Sequence, residues 1–263
     1  MSERRRGHPR AVAAAIVLLI IAGAIIYLVF FNTSGFLQPS LPVPFVSVAG
    51  NWAGYVAASN LFFPGATVTG VSGSWIVPSV KDIGSDAYSS VWIGVGGQFD
   101  SSLIQVGTEQ DYVNGAATYS VWYEMLPSNE VPINSIHVSP GDQMQASISL
   151  TDPSANTWSI SIKDQTTGES FQQSFQYNSQ KLSAEWIVER PEVSGSLTDL
   201  ANFGSVHFSS CQATISGRTG GITSFSDNRI YMQPQVINNQ SVQLVNVSGV
   251  TSGTEFSVDY IAG

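Results

Sequence analysis

The sequence predicts an all-β domain, a sandwich or barrel, carried behind one N-terminal transmembrane helix. Three observations predict it. From Asn51 onward, short segments rich in Val, Ile, Thr, Tyr, Phe and Trp alternate with clusters of Gly, Pro, Asn, Asp and Ser, the pattern of strands and turns. No stretch after residue 31 sustains a helical period, and Leu197 to Phe203 has room for one helical turn at most. Ala11 through Phe31, finally, is an unbroken apolar run preceded by Arg4, Arg5, Arg6 and Arg10.

In chain order, residues 1–10 read as a basic cytoplasmic tail. Residues 11–31, at about 1.5 Å each, reach roughly 31 Å, the hydrocarbon thickness of a bilayer. The arginines keep the N-terminus in the cytoplasm, so the rest of the chain is delivered outside. A cleaved signal peptide would have a shorter apolar stretch ending in small residues. This one ends Tyr27-Leu28-Val29-Phe30-Phe31, which reads as an uncleaved single-pass anchor in the cell membrane with the C-terminal domain extracellular; the domain is secreted if the anchor is cut. Residues 32–48, with Pro39, Pro42 and Pro44, read as an extended linker. Residues 49–263 form the β domain, its tail after about Gly217 supplying outer strands. Asn32, Asn239 and Asn246 each begin an Asn-x-Ser/Thr glycosylation pattern, a weak sign of export.

Composition removes several function classes. Taking Arg4, Arg5, Arg6, Arg10 and Glu3 away from ten basic and nineteen acidic residues leaves six against eighteen, about −12 for the exported part. No basic patch exists to neutralise phosphates, so nucleic acid is excluded as a partner. Charge density is low, with Ser, Thr, Asn, Gln and Gly filling the surface, so protonating carboxylates in acid breaks few ion pairs. Cys211 is the only cysteine, so the core holds the fold without a disulfide, and a domain of about 210 residues buries enough surface for that. Cys211 reads as a small buried strand residue. His207, four positions earlier and assigned to the same strand face, is too far along the strand to activate it.

Strand alternation sorts the faces. Val91, Ile93 and Val95 oppose Trp92, Gly94 and Gly96; Ile104 and Val106 oppose Leu103, Gln105, Gly107 and Glu109. Val121, Tyr123 and Met125 oppose Ser120, Trp122 and Glu124; Ala184, Trp186 and Val188 oppose Glu185, Ile187 and Glu189. Each segment has one apolar face suited to a second sheet. If the four are neighbours, their other faces make a groove floored by glycine, walled by tryptophan and set with carboxylates and one amide. Lys and Arg are missing from all four, which an ordinary solvent face does not explain. A carboxyl such as Glu185, placed among residues built for burial, loses water and its pKa rises. That is how a carboxylic acid becomes a general acid/base.

Six motifs occur in order: Asn51-Trp52-Ala53-Gly54-Tyr55, Trp92-Ile93-Gly94, Ile104-Gln105-Val106-Gly107, Val121-Trp122-Tyr123-Glu124, Ala184-Glu185-Trp186-Ile187-Val188-Glu189 and Phe203-Gly204-Ser205-Val206. Together they resemble the glutamic peptidases (eqolisins) over about Asn51 to Thr214. The resemblance implies a two-sheet antiparallel β-sandwich, a concanavalin A-like jelly roll, with a Gln–Glu pair on its concave face. It implies acid endopeptidase activity on polypeptide substrates with no metal or other cofactor and no sensitivity to pepstatin, expected here from a monomer. The pair falls on Gln105 and Glu185 as catalytic residues; Trp92, Trp122, Glu124 and Glu109 match groove residues that bind substrate. The sequence departs from the fungal pattern. An aspartate expected near Gly96 is absent, Glu109 stands where an aspartate is usual, and Ser120 replaces an acidic residue. The linker is also too short for a fungal-type propeptide.

Two rivals share the groove. A glycoside hydrolase would use Glu124 and Glu185 as its two carboxylates, about 5–5.5 or 6.5–9.5 Å apart. A noncatalytic carbohydrate- or peptide-binding β-sandwich would need neither carboxyl ionised. Other hydrolases lack their parts: a serine triad needs a histidine, and His137 sits before the turn Ser139-Pro140-Gly141-Asp142. Neither a Gly-x-Ser-x-Gly elbow nor a His-Glu-x-x-His helix is present.

Overall fold

A computed structural model of the chain describes residues 45–237 and 239–263. The basic tail, the residues 11–31 read as a membrane helix, most of the linker and the Asn32 pattern lie outside the described residues. Within them no helix is long and apolar enough to cross a membrane, and the only helical element is a single 3₁₀ turn, Ile222–Ser224. Leu197–Phe203 makes no helical turn; Ser196–Leu197 and Asp199–Leu200 are short strands.

The longer strands, labelled in chain order, are β1 Phe45–Ala49, β2 Trp52–Ala58, β3 Val68–Ile76, β4 Ser90–Gly96, β5 Leu103–Val113, β6 Ala116–Met125 and β7 Gln143–Asp152. They continue with β8 Thr157–Asp164, β9 Ser170–Gln176, β10 Ala184–Glu189, β11 Ser205–Ile215, β12 Ser226–Met232, β13 Val245–Val247 and β14 Phe256–Tyr260. A ten-stranded sheet runs β1-β12-β2-β10-β4-β5 before its far edge, with β6 on β5, and an eight-stranded sheet runs β9-β8-β7-β3-β11-β14-β13. Pairing is antiparallel except where β1 joins β12 and where Asp199–Leu200 joins Ala87–Tyr88. Sheet structure thus starts at Phe45, inside the segment read as linker. The tail is not wholly peripheral either, because β12 lies between β1 and β2.

The core forms where the two sheets face each other, from the apolar alternates the sequence predicts. Tyr55, Val91, Ile93, Val106, Val121 and Trp186 from one sheet meet Val71, Trp75, Ile148, Ile160, Phe208 and Phe256 from the other. Phe256 stacks on Phe208 and meets Tyr55 edge-on, each at 4.8 Å between centroids. Two buried indoles need acceptors and find them across the sandwich: Trp186 Nε1 donates to Ser72 O at 2.8 Å, and Trp75 Nε1 to Thr108 Oγ1 at 3.0 Å. These bonds fix the height of β10 and β5 over the opposite sheet, and so the position of every outward side chain on them.

Cys211 is buried and free, as expected of a core residue, but it does not share a face with His207. Ser210 takes a left-handed φ of 53° and the register against β3 shifts between Ser209 and Gln212. This bulge reverses the alternation, leaving His207 exposed and Cys211 inside.

Candidate active site

The outer face of the ten-stranded sheet carries the candidate site, and strand register assembles it. Glu185 on β10 pairs with Gly94 on β4, Gly94 with Gln105 on β5, and Gln105 with Glu124 on β6. These four residues form one row across the sheet. Glu185 and Gln105 are two strands apart, about 10 Å between Cα atoms, and the residue between them has no side chain. The next row reads Ile187, Trp92, Gly107, Trp122, and the third reads Glu189, Ser90, Glu109, Ser120. The structure therefore brings all six residues singled out in the sequence onto one face of four adjacent strands.

Gly107 is required by the second row. A Cβ there would lie 2.3 Å from Val91 O and 2.6 Å from Trp92 Cβ, so Trp92 and β4 would both have to move. Gly107→Ala is expected to cost about 2–3 kcal/mol by overpacking, read as a lowered Tm together with a shifted tryptophan emission. An unchanged Tm would show that the strands yield.

Burial sets the electrostatics. Glu185 is fully buried, and neither carboxyl oxygen makes a hydrogen bond of ordinary geometry, the Ser183 hydroxyl and Gly96 amide donating to it only weakly. Its pKa is driven well above the usual carboxylate range by loss of water. Ser183 and the Gly96 amide oppose that rise, while the negative charge of Asp100 adds to it. Asp100, in the loop after Gly96, thus supplies an acidic neighbour where the sequence comparison found none. Gln105 is 5% exposed; its Nε2 donates to Glu124 Oε2 at 2.6 Å, while its Oε1 is buried and unpartnered. Glu124 is raised by burial, against the pull of that same Gln105 bond. The Gln105 amide is thereby held from one side with its carbonyl free, an arrangement whose cost only an incoming polar group relieves.

The loop end nearest this row is fastened by Tyr177. Its hydroxyl donates to Leu126 O at 2.8 Å and accepts from Leu103 N at 2.7 Å, so the strands bearing Gln105 and Glu124 are clamped one turn of the pleat away.

Trp92 is wholly buried and Trp122 is 4% exposed; both wall the site from within rather than offering open surface. Trp52 meets Trp92 edge-on at 4.9 Å. Trp92 Nε1 donates to Glu189 Oε2 at 2.7 Å, and Asn51 Nδ2 donates to Glu189 Oε1 at 2.5 Å. Burial pushes Glu189 up to about 7 against the indoles of Trp92 and Trp52. Glu109 is raised by burial and eased by Ser120, whose hydroxyl is 3.4 Å away. Asp111 is pushed up to about 7 by burial and then by Glu109. Glu130, on the exposed loop after β6, is pushed up to about 8 by partial burial and then by Glu109 and Glu124. No sequence motif assigns a role to Glu189, Asp111 or Glu130. Face parity already placed Glu189 beside Glu185, but no local signal tied it to Trp92 and Asn51.

A family model described as the peptidase A4 family matches residues 50–260. The chain belongs to that family, the glutamic peptidases or eqolisins. It is 30% identical over 237 residues to aspergillopepsin-2 of Aspergillus niger, covering 81% of this chain and 78% of that protein. Scytalidopepsin B of Scytalidium lignicola is 30% identical over 217 residues, 78% of this chain and 77% of that one. Among solved structures, scytalido-glutamic peptidase with a transition state analog inhibitor superposes with a TM-score of 0.66 at 27% identity, over 81% of this chain and 98% of that chain. Aspergilloglutamic peptidase from Aspergillus niger gives 0.55 at 29% identity, over 66% and 99%. This glutamic peptidase therefore shares the family's all-β architecture of two main sheets, and its family fits the peptidase reading of the groove rather than the glycosidase one.

Proposed function

We propose that this chain is an acid-active endopeptidase in which Glu185 is the general acid/base and Gln105 positions the water and stabilises the oxyanion. The row Glu185–Gly94–Gln105 carries the reading: a buried carboxyl with only weak hydrogen bonds and an amide with a free carbonyl, facing each other over a glycine. The extended substrate reaches this row when the Leu103 and Trp92 side chains that now cover Gly94 give way, placing its scissile carbonyl between Glu185 and Gln105. Water held by Gln105 Oε1 attacks the carbonyl carbon, and the ionised minority of Glu185 takes the water's proton, burial keeping the rest protonated in acid. The burial that raises its pKa makes it a stronger base when ionised. The oxygen of the tetrahedral intermediate accepts from the second N–H of Gln105 Nε2, the first staying on Glu124. Glu185 then returns the proton to the amine nitrogen as the C–N bond breaks, leaving a carboxylic acid, an amine and the enzyme unchanged. Glu124 keeps Gln105 oriented; Trp92, Trp122 and Glu109 shape and line the substrate groove.

The same row weakens the glycosidase alternative. Glu124 and Glu185 are three strands apart, about 14 Å between Cα atoms, with Gln105 standing between them and bonded to Glu124. The proposal extends to placement: residues 11–31 anchor the domain at the outer surface of the membrane.

Cleavage of an unfolded protein between pH 2 and pH 7 tests the enzymology. Acid-peaked hydrolysis that survives a chelator and pepstatin, and is lost in Gln105→Ala, is expected. Folded protein with no hydrolysis, or hydrolysis unaffected by Gln105→Ala, overturns the assignment.

A further inference from the structure

We infer that the apolar cluster on the outer face of the ten-stranded sheet is a pocket for one large aliphatic side chain of a peptide substrate, a place that Leu103 fills in this structure. The inference deepens the peptidase reading and rests on it for the catalytic row. Trp92, Leu103, Trp122 and Ile187 form the cluster, with Trp52 and Leu126 packed against it. It is separate from the core between the sheets, and its four central residues are at most 4% exposed. Register places it around the row Glu185–Gly94–Gln105. Ile187, Trp92 and Trp122 lie in the row on one side, and Leu103, level with Gly96, lies on the other. A substrate side chain next to the scissile bond therefore meets this cluster.

Leu103 holds the place through its side chain alone. A Cβ added at Gly94 would lie 2.9 Å from Leu103 Cδ1. One added at Gly97 would lie 3.3 Å from Leu103 Cδ2 and 2.9 Å from Trp52 Cη2. The isobutyl group thus covers a stretch of chain that has no side chain of its own to bury. Of the two side chains over Gly94, Trp92 is tied through its indole to Glu189 at 2.7 Å, and a hydrocarbon side chain has no such tie. The Leu103 backbone is fixed on both sides, its N–H by the Tyr177 hydroxyl at 2.7 Å and its carbonyl by Leu126 N at 3.0 Å. The strand stays in place while the side chain turns out. What it leaves is apolar and of leucine's own volume, so a side chain of that size restores the lost burial.

One polar group in the cluster identifies the occupant as a peptide. The buried indoles of Trp75, Trp92, Trp158 and Trp186 each donate to an oxygen. Trp122 is buried with them, yet its Nε1 has no acceptor. An unpaired buried donor is costly, and a ligand that carries a carbonyl beside its aliphatic group relieves the cost. Every peptide residue brings that carbonyl next to its side chain. A plain hydrocarbon chain would fill the cluster and leave the indole unpaired.

Two short peptides of Ser and Gly, one with a central Leu and one with a central Ala, test the pocket on the full chain. The wild type should cleave the Leu peptide with a kcat/KM on the order of 10²-fold higher. In Leu103→Ala the pocket stands open and no side chain has to be displaced. KM for the Leu peptide should then fall about tenfold at unchanged kcat, with the Ala peptide unmoved. A residue that only packs would lower Tm and shift both peptides alike, and that result overturns the pocket. Leu103→Val makes the same comparison with a smaller cut should the alanine variant not fold. Equilibrium binding of both peptides to Glu185→Gln, followed by tryptophan emission, separates the pocket from the chemistry. Binding of the Leu peptide about tenfold tighter, with no cleavage by the wild type, keeps the pocket and overturns the peptidase. Cleavage of both peptides at equal KM keeps the peptidase and overturns the pocket.

Discussion

Glu185→Gln is expected to lower kcat for peptide hydrolysis by on the order of 10³- to 10⁴-fold while leaving the domain folded. The substitution replaces one oxygen by nitrogen and keeps the shape of a side chain that is fully buried. It removes the proton-accepting group and leaves the groove as it was, so KM should change little and the loss should lie in the chemical step. Gln105→Ala should cost roughly 10²- to 10³-fold, the usual effect of removing one oxyanion donor. The double variant should be little worse than Glu185→Gln alone, because groups that act as a unit are not additive. Stability separates this from a structural role. A neutral amide stands in for the protonated carboxyl that burial favours, so Tm in acid should hold and Tm near neutrality should rise. A variant that binds and cleaves as before would end the assignment of Glu185 as the general acid/base.

The strands and their faces were readable because a period of two needs only neighbouring residues. Val91, Ile93 and Val95 point inward in the structure as their alternation requires, and Trp92, Gly94, Gln105, Glu124 and Glu185 all point the other way. What alternation cannot give is register. That Gly94, rather than Gly96, lies between Glu185 and Gln105 follows from pairings across β10, β4 and β5, and those are set by the whole sheet. The Glu189 contacts with Trp92 and Asn51 are hidden for the same reason, being 97 and 138 residues apart in sequence. Where the backbone departs from the regular pleat, alternation fails outright: the bulge at Ser210 puts Cys211 and His207 on opposite faces. The tail reads as outer strands in the sequence, yet β12 lies between β1 and β2, which come from the opposite end of the chain.

The domain is expected to be most stable in acid and to lose stability as pH rises toward 8. Asp111 and Glu189 are ordinary carboxyls in the unfolded chain and are raised to about 7 in the folded one. Between those limits the folded state holds more protons than the unfolded state, so raising the pH favours unfolding. Their stabilising contribution is complete below about pH 4 and gone above about pH 7. Glu185, raised further by its burial, extends the loss upward. For Asp111 and Glu189 together the change is roughly 8 kcal/mol, or ~20 °C in Tm for a domain of this size. The usual cause of acid unfolding is nearly missing. Among the described residues one ion pair is present, between His137 and Glu169 at 3.5 Å, and Asp152 is the one carboxyl there whose pKa is resolved as lowered. Thermal unfolding from pH 3 to pH 8 measures the slope, and Asp111→Asn with Glu189→Gln should flatten it. A wild-type Tm that instead climbs toward neutrality would mean that these carboxyls are hydrated in the folded protein.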